Sequence, residues 1–239
     1  YVRQASNFTT LEYRRGLPDS SGAIAWTSAE VKVVDDGNAT SYPSISIDSN
    51  GYPWISWNHG LTDAYVERSS TKNGTWTTAV GFPAAIEIAG VAWRSLLQPE
   101  ANGMVWFGVD PKIGFNPVLM TEVFDNGTVW SPESTTAAAG GESMASYLVG
   151  TDAYLFWNSW AGGLYYGIYS LATHTFSGEM ALNATVGYSD SGVGVSSDGT
   201  NIYVLWEDQA SNATYRVYMT ISNQLWNVTA QQLDTGSLQ

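Results

Sequence analysis

The chain contains no cysteine. That excludes a disulfide framework, a thiolate nucleophile and any cysteine-held zinc or iron–sulfur centre. Histidine occurs only at His59 and His174, too few for a histidine-rich metal centre, so neither metal nor cofactor is expected. Cations are also scarce: nine Lys and Arg stand against 22 Asp and Glu, a net charge of −13. This balance argues against a nucleic-acid partner and against an anionic membrane surface. Charged residues make up 13 %, about half the usual share near 25 %. No apolar run approaches the roughly 18 residues of a membrane-spanning helix. No leader peptide is visible, and any export signal would lie outside these residues. What is abundant is Trp (11), Tyr (14) and Gly (24) in 239 residues. A chain of this length can bury roughly 70–75 % of its unfolded surface, so disorder is excluded, and the composition does not suit a helical bundle.

An internal repeat of about fifty residues organises the sequence. Apolar segments close on an aromatic at Trp57, Phe107, Trp157 and Trp206, in steps of 50, 50 and 49. A second aromatic series runs out of phase with the first: Trp26, Trp76, Trp130, Phe176 and Trp226. Each repeat reads as four short strands, A to D. In the clearest one, strand A is Pro43–Ile47, B is 53–57, C is 64–69 and D is 75–80, with turns at Asp48–Gly51 and Asn73-Gly74. Asn-Gly suits a tight hairpin turn because both residues tolerate positive φ. Tyr215, Val217 and Met219 alternate with Arg216, Tyr218 and Thr220, the period of a half-buried strand. Four-stranded units of this length arranged in a ring make a β-propeller. The alternative fold, a β-sandwich, does not need a fifty-residue repeat. No segment sustains a helical period, so almost no helix is expected.

The segments Pro43-Ser-Ile-Ser-Ile-Asp48-Ser-Asn-Gly51-Tyr-Pro-Trp54 and Val195-Ser-Ser-Asp198-Gly199-Thr-Asn-Ile-Tyr-Val-Leu-Trp206 carry a resemblance. They resemble the inner hairpin of Asp-box (BNR-repeat) propellers of the sialidase-like superfamily. The turns Asn73-Gly-Thr-Trp76 and Asp125-Asn-Gly-Thr-Val-Trp130 resemble degenerate Asp boxes of that family. The resemblance implies an all-β propeller of about five four-stranded blades.

Blade remnants then occupy 1–42, and repeats occupy about 43–88, 89–142, 143–190 and 191–239. Residues 1–9 align with the B strand near Tyr203, and an inner strand equivalent to about 190–202 is missing, so the first blade is incomplete. The chain is then either a five-bladed ring short of one inner strand or an excerpt of a longer propeller. Other copies, or another chain, could supply the missing strand.

Seven of 14 asparagines begin Asn-x-Thr: Asn7, Asn38, Asn73, Asn126, Asn183, Asn212 and Asn227. With 22 Thr in 239 residues, chance places roughly one such triplet. This enrichment points to N-glycosylation and an extracellular or cell-surface location. Turn chemistry alone accounts for Asn73 and Asn126 but not for the others.

In a propeller the B–C and D–A loops share one face. The B–C loops bring His59, Asp63, Trp160, Glu207 and Asp208 there, and Arg94 lies near an inner strand. Glu207 and Asp208 are the candidate catalytic carboxylates for glycoside hydrolysis, and His59 is a candidate base. Solvated acidic loops and a hydrogen-bonded surface histidine are the plainer readings. Trp160 beside Gly162-Gly163 could stack on a sugar ring, with Asp63 and Arg94 completing a ligand site. The sialidase resemblance would further imply an arginine cluster for a substrate carboxylate, yet only Arg94 is placed to reach the channel. The expectation is therefore a non-catalytic extracellular propeller serving cell-surface or filament assembly. The alternative is a carbohydrate-binding or glycoside-hydrolysing propeller.

Overall fold

The computed structural model describes residues 2–5, 9–26, 29–35, 37, 40–59, 63–76, 79–86, 95–101, 103–110, 118–125, 129–130, 134–137, 143–158, 163–183, 192–208 and 213–234. All regular structure among the described residues is β-strand, with no helix. The chain falls into two compact units, residues 1–108 with 121–134, and 109–120 with 135–239.

The first sheet has three strands in the order β1-β2-β5: β1 (Val2–Gln4), β2 (Thr10–Tyr13) and β5 (Val31–Asp35). Between β2 and β5 a separate hairpin pairs β3 (Gly16–Pro18) with β4 (Ile24–Trp26). The second sheet orders β6 (Thr40–Ile47), β7 (Pro53–His59), β8 (Asp63–Arg68) and β9 (Ala84–Ile86). The third orders β10 (Ser95–Pro99), β11 (Met104–Asp110), β12 (Val118–Asp125) and β13 (Val129–Trp130), with β14 (Ser134–Ala137) also on β12. The fourth orders β15 (Met144–Val149), β16 (Asp152–Asn158), β17 (Leu164–Ser170) and β18 (Thr175–Phe176), with β19 (Met180–Asn183) also on β17. The fifth orders β20 (Val193–Ser197), β21 (Asn201–Asp208), β22 (Ala213–Thr220) and β23 (Leu225–Asp234). The sheets meander in chain order, as blades do, and the first holds three strands among the described residues.

The B strands form the core. Pro53 to Asn58 and Ala153 to Asn158 are buried without a break, on both faces of their sheets. Alternation sends Ile55 and Trp57 to one side, where they join Leu11, Tyr13, Val33 and Trp76. In the second unit Tyr154 and Phe156 of β16 pack with Ile202, Val204 and Trp206 of β21. Of the repeating aromatics, Trp57 and Trp206 therefore pack in clusters that join neighbouring blades. Trp226 seals this cluster, edge-on to Phe156 at 5.7 Å.

The second aromatic series marks strand D. Trp130, Phe176 and Trp226 stand opposite Phe124, Tyr169 and Met219. Blade two departs from this pattern. The expected D strand over 75–80 is corrected to Ala84–Ile86. The cause is a hydroxyl: Ser69 Oγ accepts the N–H groups of Thr75 (2.7 Å) and Thr71 (3.2 Å), tying the segment into a loop. Trp76 remains buried there, 5.1 Å from the Tyr13 ring.

The C–D turns repeat a left-handed residue at Gly74 (φ +93°), His174 (φ +52°) and Gln224 (φ +55°). Only Gly74 is also sterically required, since a Cβ there would stand 2.2 Å from Tyr13 Cε1. The A–B turns are built by aspartates. Asp48 accepts the N–H groups of Asn50 and Tyr52, each at 2.9 Å, and the indole N–H of Trp54 at 3.0 Å. Asp198 accepts the Tyr203 hydroxyl (2.7 Å) and the N–H groups of Asn201 (2.7 Å) and Thr200 (2.8 Å). Tyr203 and these two amides hold the Asp198 carboxyl far below its ordinary 3.8. The same bond, chiefly, raises the Tyr203 phenol above 10.0.

Two measurements follow. Phe156→Ala should cost about 3–5 kcal/mol in a urea titration, because it empties a buried ring position. Val80→Ala, at a site 98 % exposed, should stay within about 0.5 kcal/mol. Asp198→Ala should return the Tyr203 phenol towards 10.0, read from its 13Cζ shift against pH. The sign follows from the depressed carboxyl. Its stabilisation of the turn is complete above 3.8 and fades only as pH falls through the lower folded value.

Candidate functional site

Strand β7 ends on Asn58 and His59, and β8 begins on Asp63, directly opposite His59 in register. Asn58 pairs with Ala64 and Trp57 with Tyr65. The Tyr65 ring stacks on Trp57 at 5.9 Å and meets the His59 imidazole at 4.7 Å. Strand β6 reaches the same blade end with a bulge. Ser41 opposes Asn58 and Ser44 opposes Ser56, so Tyr42 and Pro43 together face Trp57. Tyr42 sits at φ +50° and is 46 % exposed. A left-handed bulky residue before proline is a strained arrangement, and bulges of this kind re-aim side chains beside functional sites.

Asn58 is only 3 % exposed, and its Oδ1 has no hydrogen-bond partner among the described residues. Its counterpart one hundred residues on shows what the position does when satisfied. Asn158 Oδ1 accepts the Ser143 N–H at 3.0 Å, and Ser143 Oγ accepts the Val193 N–H at 2.7 Å. That chain ties β15 to β20 beneath the Trp206 cluster. Blade two leaves the same amide oxygen open, and a buried acceptor without a partner marks a place for water or a ligand hydroxyl. His59 and Tyr65 share the Trp57 face of the sheet, opposite Asn58, so the blade end carries rings on one face and the amide on the other. An open amide acceptor at a blade end with exposed ring surface suits a ligand bearing hydroxyls and C–H faces.

The other expected residues distribute as follows. His59 and Asp63 are brought together by register, with Asp63 placed by its backbone alone. Glu207 and Asp208 end β21 opposite Thr214 and Ala213, likewise by backbone. Arg94 and Trp160 lie outside the described residues. Among the sequons, Asn73 is exposed in its turn and accepts from Arg15 Nη1. Asn227 is exposed on β23 and donates to the Tyr218 hydroxyl at 3.0 Å. Asn183 ends β19, and Asn7, Asn38, Asn126 and Asn212 lie outside the described residues. Among the described residues no three His, Asp or Glu side chains converge as metal ligands. His174 is a turn residue whose ring stacks on Tyr169 at 6.3 Å. The expected start of strand A at Pro43 places Tyr42 outside the strand, whereas the strand runs from Thr40 through a bulge at Tyr42 and Pro43, which no sequence pattern announces.

No family model matches the chain, and no curated protein matches it. Solved structures do resemble it. An α-L-arabinofuranosidase from Fusarium graminearum aligns with a TM-score of 0.61 at 12 % identity, over 81 % of this chain and 66 % of its own. A protein of unknown function from Dyadobacter fermentans aligns at 0.60 and 12 % identity, over 99 % of this chain and 83 % of its own. An α-L-arabinanase from Penicillium chrysogenum, complexed with arabinobiose, aligns at 0.52 and 12 % identity, over 81 % and 66 %. The likeness establishes the fold as a β-propeller. This chain spans about two thirds of the length of the Fusarium and Penicillium proteins (66 % of each).

Ser143→Ala tests the satisfied version of the site. It removes the acceptor for the buried Val193 N–H and should cost about 1–3 kcal/mol in chemical denaturation. Amide exchange at Val193 should accelerate with it. Unchanged exchange would show that the hydroxyl link is not held in solution.

Proposed function

We propose that this chain is a carbohydrate-recognising β-propeller that takes a neutral pentose oligosaccharide of the arabinan type at the Tyr42–Asn58–His59–Tyr65 end of blade two. The observation that carries the reading is the buried Asn58 Oδ1, without a partner among the described residues. A sugar hydroxyl donating to that oxygen satisfies it, and the exposed Tyr42 ring at the same blade end offers a furanose or pyranose C–H face a surface to pack on. Similar propellers described as an arabinofuranosidase and an arabinanase support the choice of sugar. They favour glycan handling over the assembly role expected from composition. Cleavage in addition to binding would require a carboxylic acid and a carboxylate across the scissile bond. Asp63, facing His59 in register, is then the first carboxylate to remove, ahead of Glu207 and Asp208.

Calorimetric titration with arabinobiose decides the matter. Wild type should bind. Tyr42→Ala and Asn58→Ala should each weaken binding about tenfold, the equivalent of ~1.4 kcal/mol, with the denaturation midpoint monitored alongside. Absence of binding by the folded wild-type chain would sink the reading. Release of arabinose that stops in Asp63→Asn would make the propeller a hydrolase.

A further inference from the structure

The other end of blade two gathers cations in a chain that has few. Of nine Lys and Arg, four stand there: Arg14, Arg15, Arg68 and Lys72. Arg14, Arg15 and Lys72 line a groove of about 710 Å³ between the start of the β3–β4 hairpin and the outer ends of β6 and β7. Its apolar wall is made by Leu17, Ile45 and Ile47, all substantially exposed, with Ile47 at 60 %. No Asp or Glu is found among the described residues that line it. Tyr52 stands beside the groove at the turn. Its ring carries the Arg68 guanidinium at 4.7 Å and the Lys72 ammonium at 5.9 Å. Beyond it a second hollow of about 350 Å³ is lined by Tyr52, Arg68 and Ser70. The Arg14 guanidinium lies over the Trp26 ring, 5.0 Å from its centroid. Asp48, buried in its own turn, faces Arg68 at 3.6 Å.

Two features decide the ligand. The cations call for carboxylates, since guanidinium groups pair with them in a fixed fork. The exposed aliphatic wall calls for C–H faces between those carboxylates. A chain of uronic acid residues offers both, one carboxylate per pyranose ring. An acidic peptide offers charge on flexible stems with no apolar faces between. On a molecule of net charge −13, such a groove draws an anion to one place and leaves the rest of the surface repelling it.

We propose that this groove is a second glycan site, specific for an acidic oligosaccharide of uronate units and separate from the Asn58 end. It rests on the reading of the chain as a glycan-handling propeller, but not on the neutral site itself.

The experiment titrates the full chain with a galacturonate oligomer, its methyl ester, and a glutamate peptide of the same charge. The galacturonate oligomer should bind, and the ester, with the same rings but no charge, at least tenfold more weakly. Arg14→Gln combined with Lys72→Gln should weaken galacturonate binding at least tenfold and leave arabinobiose binding unchanged. Tyr42→Ala should do the reverse. If the double variant does not fold, the wild-type contrast between acid and ester still decides. Galacturonate that fails to bind, an ester that binds equally, or a glutamate peptide that competes equally would each overturn the proposal. Galacturonate binding without arabinobiose binding would sink the neutral site and leave the groove standing.

Discussion

Strand B is buried on both faces in the second, third and fourth sheets, and that single condition organises the molecule. A four-stranded antiparallel sheet ordinarily keeps one face wet. Here Ile55 and Trp57 point one way and Trp54, Ser56 and Asn58 the other, and none of them is left to solvent. One blade cannot bury both faces by itself. It needs a neighbour on each side, which is why the sequence repeats at fifty residues. Large aromatics pack between blades, and some of the polar atoms enclosed with them are paired. Asn158 Oδ1 accepts the Ser143 N–H within its blade, Ser143 Oγ accepts the Val193 N–H of the next, and Ser56 meets Ser95 across blades at 2.9 Å.

Much of this was legible in the residues. The closing aromatics gave the period and their own burial, because a residue type recurring at one register must answer the same packing need each time. The aspartates at 48 and 198 read as turn builders, and they are. The D strand of blade two was misplaced, because one serine hydroxyl competed successfully for backbone donors and no pattern announces that. The bulge at Tyr42 was hidden for a similar reason: proline marks a strand start in most contexts, and here it lies inside one. Asn58 and Asn158 look alike in sequence. Only the partner across the sheet shows that one is spent on structure and the other is open.

The two ends of blade two differ in chemistry because of how they are terminated. The β7–β8 end closes with rings and an amide, carrying little charge of either sign among its described side chains. The opposite end closes with an aspartate turn whose carboxylate is taken up by backbone and indole donors and by Arg68. Arg14, Arg15 and Lys72 stand beside that turn, along the groove.

The C–D turns also differ in what they tolerate. His174 and Gln224 take the left-handed position with exposed side chains, so those turns do not depend on glycine. At Gly74 the Tyr13 ring lies against the backbone. Peptide epitopes or reporter sequences could therefore be grafted into the turns at 174 and 224, whereas the same graft at 74 would prise the first sheet away from the second.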